Sequence, residues 1–148
     1  ILSGFSIGGS MTHYAACKHP DAFAAYAPVA GAFWRPHPEA CTTSPMRLFH
    51  THGWTDSTVP LEGRPLRGGA IRQGDTFASL DIWRAAMGCT YGAADQFETT
   101  GPFLRRRWTR CAEGSTLEFA LHPGSHSVPP GWATMMLDWF EALPPPKA

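Results

Sequence analysis

The pattern of apolar and polar positions divides the chain into short elements joined by Pro- and Gly-rich loops. Residues 1–5 read as the end of a buried strand. Residues 10–18 read as a helix of small residues, with Ala15 and Ala16 suited to close packing on a sheet, and His19-Pro20-Asp21 stops it. Residues 23–29 are apolar without alternation, as expected of a parallel strand covered on both faces. A Pro-rich loop is expected over 31–45, with Phe33 and Trp34 making it more apolar than a plain linker. A short apolar strand over 46–51 runs into a loop, His52-Gly53-Trp54-Thr55-Asp56. Residues 63–74 are rich in Gly and Arg and predict an exposed segment. Residues 76–87 set Phe77, Leu80, Ile82, Trp83 and Met87 near helical spacing, with Asp75 or Thr76 as the cap. An irregular stretch ends at Gly101-Pro102. Residues 103–110 and 116–121 are strand-like, and Cys111-Ala112-Glu113-Gly114-Ser115 between them reads as a hairpin turn. A Pro/Gly loop over 122–131 leads to an amphipathic helix at 132–143, which Pro144-Pro145-Pro146 cannot continue. Strands alternating with helices predict an α/β fold with a mostly parallel sheet.

Composition narrows the setting. The 148 residues are enough for one core, and 43% hydrophobic with 16% charged residues fits a globular domain. Zero net charge argues against a nucleic-acid or anionic-membrane partner. In Arg105-Arg106-Arg107, strand alternation would face only some of the arginines together. No apolar run approaches the ~20 residues of a membrane span. The chain starts at Ile1 without an initiator Met or a signal-like segment, so it is expected to be the later part of something longer. Cys17, Cys41, Cys89 and Cys111 form no C-x-x-C and no zinc-like spacing. They allow three disulfide connectivities, of which the local one closes the shortest loops, or four reduced thiols in a cytosolic protein. Disulfides would place the chain in an oxidising compartment.

Gly4-Phe5-Ser6-Ile7-Gly8-Gly9 carries the chemistry that changes this picture. A G-x-S-x-G between an apolar strand and a small-residue helix is the pattern of a nucleophile elbow, with a serine on a sharp turn. The glycines two before and two after the serine are expected to come too close for side chains. The turn would also aim the first free helix N–H groups at a developing oxyanion. A serine nucleophile needs a base and an orienting carboxylate, and in α/β-hydrolases the order is Ser, acid, His. Position at strand ends selects Asp56, just past the strand at 46–51, over Asp75, Asp81, Asp95 and Asp138. The same criterion selects His126 over His122, while His50 and His52 precede the acid.

These residues resemble the extracellular polyhydroxybutyrate depolymerase and feruloyl-esterase-like branch of the α/β-hydrolases. The resemblance rests on the elbow with Phe23-Ala24-Ala25-Tyr26-Ala27-Pro28-Val29-Ala30-Gly31, on His52-Gly53-Trp54-Thr55-Asp56-Ser57-Thr58-Val59-Pro60, and on Gly124-Ser125-His126-Ser127-Val128-Pro129. It implies that residues 1–148 are the C-terminal part of a single α/β-hydrolase catalytic domain whose N-terminal strands precede Ile1. It further implies a nucleophile Ser6, an acid Asp56, a base His126 and an oxyanion donor at the Ile7 N–H, with the second donor on an upstream loop. Secretion, with a signal peptide upstream, and a Cys89–Cys111 disulfide are also implied; it bears less on Cys17 and Cys41.

The implied activity is hydrolysis of carboxylic esters, of polyhydroxyalkanoate or feruloyl/acetyl type, with no metal or organic cofactor. The alternatives are a serine peptidase or another α/β-hydrolase with the same triad, and an inactive or carbohydrate-binding relative. Where the family often has Trp in a His-x-Trp-Pro pattern, Val128 stands here, with Trp132 four residues later as the candidate replacement. Phe33, Trp34, Trp54 and Trp132 are candidates to line an aromatic or polymer-binding cleft, with Trp54 and Trp132 as the candidate substrate contacts. An elbow strand left at a sheet edge is expected to make the chain fold poorly by itself.

Overall fold

A computed structural model describes residues 1–145, so Pro146 of the expected Pro tail lies outside the described residues. The chain runs β1 (Leu2–Phe5), α1 (Ile7–Lys18), β2 (Tyr26–Val29), β3 (Trp34–Arg35), β4 (Arg47–Gly53), β5 (Pro65–Leu66), a 3₁₀ turn at Arg67–Gly69 and β6 (Ile71–Gln73). It continues through α2 (Thr76–Ala86), β7 (Gln96–Thr100), β8 (Phe103–Trp108), β9 (Thr116–His122) and α3 (Trp132–Ala142). Six strands form one sheet in the order β1-β2-β4-β9-β8-β7, and β3-β6-β5 form a small second one. β1, β2, β4 and β9 are mutually parallel, and β8 and β7 run antiparallel at the end. The fold is therefore mixed α/β with a mostly parallel sheet.

β4 lies centrally, and all seven of its residues are buried. Alternation sends its side chains to opposite faces. Leu48 joins one core with Leu117, Phe119, Leu80, Trp83 and Tyr26, under α1 and α2. Phe49 joins a second core with Ala120, Phe103, Met135, Met136 and Trp139, under α3. Two layers of helix thus cover the sheet, and residues at the carboxyl ends of β1, β4 and β9 share one rim.

Several boundaries differ from the sequence reading, each for a local reason. Helix α1 starts at Ile7 rather than residue 10, because Ser6 is its N-terminal cap residue and Ile7, Gly8 and Gly9 make its first turn. β2 begins at Tyr26, while Phe23 lies outside it, partly exposed and edge-on to the Tyr26 ring. β4 extends through His52 and Gly53, because β9 pairs with it residue for residue from Arg47↔Thr116 to Gly53↔His122. Residues 96–100 are a strand, β7, where an irregular stretch was expected. Its exposed residues pair only with β8, through a turn at Gly101-Pro102, so no alternation of burial marked it. The segment at 63–74 is exposed except near its end, where β6 pairs with β3 and buries Gln73.

Both local disulfides are present, Cys17–Cys41 fastening the end of α1 and Cys89–Cys111 tying the end of α2 to the β8–β9 turn. The three arginines divide as strand alternation requires. Arg105 and Arg107 both bond the buried Glu118 on β9, and Arg106 lies over the Phe97 ring. Among the described residues, no helix is long and apolar enough to cross a membrane.

Candidate active site

Ser6 sits between β1 and α1 at φ 60° and ψ −119°, a backbone conformation that costs a non-glycine residue on the order of 1–3 kcal/mol. The Ser6 N–H donates to the Val29 carbonyl, and its own carbonyl accepts from Ser10 N–H, so the turn is held from both sides. The close approach around it is one-sided. A Cβ at Gly4 would lie 2.2 Å from the Gly8 carbonyl oxygen, and one at Gly9 would lie 2.5 Å from the Val29 oxygen, whereas a Cβ on Gly8 meets nothing within 4 Å. The expectation of a clash at both flanking glycines is corrected here: Gly8 projects outward, and Gly9 is the second closely packed position.

Gly4→Ala is therefore expected to lower stability by about 2 kcal/mol or more, as backbone must move. Gly8→Ala should be neutral or add up to about 1 kcal/mol, because alanine favours a helix over glycine. Urea midpoints of the two variants check this, and equal losses would contradict the geometry.

The acid and base loops meet across the β4–β9 pair. Trp54 N–H donates to the His122 carbonyl and Thr55 N–H to the Gly124 carbonyl. Gly53 allows this approach, since a Cβ there would be 2.2 Å from the Ser125 oxygen. Asp56, 5% exposed, closes a turn in which its Oδ1 accepts the N–H groups of Thr58 (2.9 Å) and Val59 (2.8 Å). Its Oδ2 lies 2.8 Å from His126 Nδ1, and His126 Nε2 lies 2.9 Å from Ser6 Oγ. Three groups separated by up to 120 positions thus form one hydrogen-bonded line. The Phe5 ring, next to Ser6 in sequence, packs on His126 with centroids 4.7 Å apart. As a carboxylate Asp56 can only accept, so His126 Nδ1–H donates to it and Nε2 is free to accept the Ser6 hydroxyl.

His122 sits elsewhere. It is buried at the end of β9, its Nδ1 accepts the Gly124 N–H at 3.1 Å, and it thereby shapes the loop that carries His126. Burial pushes its pKa down, with the Asp56 charge opposing. His50 and His52 point inward from β4 and join His13 of α1 in a chain of buried imidazoles. Chain order sets His50 and His52 aside as bases, and nothing along the chain marks His13. A His-x-His alternation in a fully buried strand was the available signal.

A cleft of about 220 Å³ opens beside Ser6, lined by Ile7, Ala32, Trp34, Val59 and Leu66, with Arg64 and Gln73 among its polar positions. Trp54 is exposed in its loop, and Trp132 donates its indole N–H to Thr51 Oγ1 at the foot of α3, so neither lines this cleft. The N–H groups of Ile7, Gly8 and Gly9 have no intrahelical acceptor and lie at the positive end of α1. Among the described residues, no group of three or more His, Cys, Asp or Glu is placed to hold a metal ion.

No known family profile matches the chain. It is similar to the "Poly(3-hydroxyalkanoate) depolymerase C" of Paucimonas lemoignei, 32% identical over 103 residues, which cover 69% of this chain and 24% of that protein. It is also similar to the "Putative esterase NocK" of Nocardia uniformis subsp. tsuyamanensis, 40% identical over 60 residues, covering 40% of this chain and 17% of that protein. The matches thus span a quarter or less of these curated relatives, and the similarity is that of a distant, esterase-like relative.

Proposed function

We propose that this chain carries the catalytic triad of a secreted serine esterase built on the α/β-hydrolase fold, as the C-terminal part of that catalytic domain. The observation that carries the reading is the line Ser6 Oγ–His126 Nε2, His126 Nδ1–Asp56 Oδ2, at 2.9 and 2.8 Å, ending on a serine held at positive φ. Nucleophile, base and orienting acid at hydrogen-bond distance, beside helix N–H groups without an intrahelical acceptor, support acyl transfer.

The reaction proceeds in two balanced steps. Ser6 Oγ bonds the ester carbonyl carbon while its proton passes to His126 Nε2. Asp56 holds Nδ1–H and stabilises the imidazolium. The oxyanion is met by the Ile7 N–H at the positive end of α1, a type of contact whose loss costs about 10²–10³ in rate. Collapse expels the alcohol oxygen, which takes the proton from Nε2. Water then attacks the acyl-enzyme by the same proton path and releases the acid.

The names of the two relatives, a poly(3-hydroxyalkanoate) depolymerase and a putative esterase, and the largely apolar cleft beside Ser6 support ester hydrolysis, with a hydroxyalkanoate, feruloyl or acetyl ester as the proposed substrate. Two disulfides favour an oxidising compartment and hence secretion.

The test is hydrolysis of p-nitrophenyl acetate and butyrate, beside Ser6→Ala, with intact mass after a fluorophosphonate. Turnover should fall to background in the variant, and one phosphonyl group should map to Ser6. Turnover that survives Ser6→Ala, or label on another residue, would overturn the assignment.

A further inference from the structure

Behind the line at Ser6 runs a second hydrogen-bonded chain. Trp83 Nε1 on α2 donates to His13 Nδ1 on α1 at 2.9 Å. His13 Nε2 lies 2.9 Å from His50 Nδ1, His50 Nε2 lies 3.0 Å from His52 Nδ1, and His52 Nε2 lies 2.7 Å from the Val59 carbonyl. All three histidines are 0% exposed. Phe33 and Trp83 pack on His13, and Phe119 packs edge-on to His50.

The two ends fix every proton between them. An indole nitrogen can only donate, so His13 Nδ1 must accept and a neutral His13 carries its hydrogen on Nε2. That hydrogen points at His50 Nδ1, which puts the His50 hydrogen on Nε2, and the same step repeats at His52. Its Nε2–H then meets a carbonyl, which can only accept. One tautomer pattern satisfies all four bonds. It also rules out a relay, because a proton could move toward Asp56 only if another entered at His13 Nδ1, where the Trp83 N–H already sits.

The chain ends on Val59, whose own N–H donates to Asp56 Oδ1, and His52 Nε2 lies 3.6 Å from Asp56 Oδ2. Its start lies on α1, the helix that Ser6 caps. We infer that His13, His50 and His52 are positioning residues: a static, one-directional strut that locks the Asp56–Val59 turn to the nucleophile helix and turns its N–H end toward the carboxylate. This rests on the roles proposed above for Ser6, His126 and Asp56.

Burial keeps the strut neutral. It lowers the His13 pKa to about 3, with a further push from His52, and holds His50 well below the ordinary histidine value, helped by His13 and His52. For His52 burial again leads, opposed by the Val59 carbonyl and Asp56 and assisted by His126 and His122. The Gly31 carbonyl also acts on His13 and opposes the shift there.

The experiment has two arms. In the ¹⁵N-histidine-labelled chain, two-dimensional NMR should find His13, His50 and His52 as neutral Nε2–H tautomers throughout pH 5–8. An Nδ1–H tautomer, or titration of any of the three in that window, would overturn the strut. In the second arm His50→Phe removes two links while keeping bulk, and Met136→Ala opens a cavity on the other face of the sheet as a matched loss of stability. His50→Phe should slow fluorophosphonate labelling of Ser6 by about ten- to a hundredfold through misplacement of the acid turn. It should also shift or erase the low-field proton of His126 Nδ1, whereas Met136→Ala should change neither. Identical behaviour of the two variants would reduce the strut to core packing and overturn the inference. If Ser6 takes no label even in the unmodified chain, labelling of the whole catalytic domain decides the esterase reading, while the tautomers and the low-field proton still decide the strut. The tautomer arm needs no variant and stands if His50→Phe does not fold.

Discussion

Asp56→Asn is expected to cut ester turnover by about 10⁴ with little loss of stability, because it reverses the tautomer of His126. The physical reason lies in the two backbone donors on Oδ1. Thr58 and Val59 present N–H groups at 2.9 and 2.8 Å, so the carboxamide oxygen must stay there and the NH₂ must take the place of Oδ2. Flipping it would set donors against donors and forfeit two hydrogen bonds. The NH₂ then faces His126 Nδ1, now 2.8 Å from Oδ2, and that nitrogen must become the acceptor. The imidazole hydrogen moves to Nε2, which points at Ser6 Oγ and can no longer take its proton. Steady-state hydrolysis of p-nitrophenyl butyrate and the rate of fluorophosphonate labelling should fall together. Activity within tenfold of the parent would mean that Asp56 is not the orienting acid.

The second large effect is loss of stability in mild acid. His13, His50 and His52 have folded-state pKa values below the ordinary 6.5, that of His13 about 3, all chiefly because burial disfavours the imidazolium. Below pH 6.5 the unfolded chain therefore binds protons that the folded chain refuses. Their contribution to stability is complete above that pH and is lost as pH falls from 6.5 toward the depressed values. His13, with a folded value of about 3, adds a slope of up to about 1.4 kcal/mol per pH unit, and His50 and His52 act in the same direction. Against a typical stability of about 5–15 kcal/mol, a loss on the order of 1 kcal/mol per pH unit from His13 alone is a large fraction. Urea midpoints at pH 7, 6, 5 and 4.5 should fall with increasing steepness. His13→Gln, whose carboxamide can still accept from Trp83 and donate to His50, should flatten the slope. A midpoint constant from pH 7 to 4.5 would show that the buried imidazoles take up protons without unfolding.

Both effects come from groups that differ greatly in how visible they are along the chain. The elbow was legible because its geometry is local. Gly4 and Ser6 are two residues apart, and a strand-to-helix turn with a small residue on the strand side leaves a short, specific pattern. Asp56 and His126 were legible by a less direct route, since each follows an apolar run and a parallel sheet collects such loops on one rim. The helices at 76–87 and 132–143 declared themselves by apolar spacing, although Phe77 of the first is exposed, and Asp75 by its capping position, where it accepts from Phe77 and Ala78 N–H.

What the sequence could not report are relations between distant positions. Hydrophobic periodicity records whether a side chain is buried, and it is silent about which polar partner comes with it. The strand at 96–100 escaped because it is exposed on both faces and owes its form to hydrogen bonds with β8 alone. Cysteine spacing alone leaves three connectivities; the resemblance implies Cys89–Cys111, and the Cys17–Cys41 bond follows once α1 meets the loop before β4. His13 meets His50 across 37 positions and Trp83 across 70, contacts decided by how α1, α2 and β4 pack. An α/β chain with a serine elbow and two strand-end candidates beside it can be read along the chain. That Ser6, His126 and Asp56 lie within hydrogen-bond distance, with a line of buried histidines behind them, emerges from packing alone. The difference is physical: burial and turn chemistry act on neighbours in the chain, whereas a hydrogen bond between remote side chains exists only once the layers have packed.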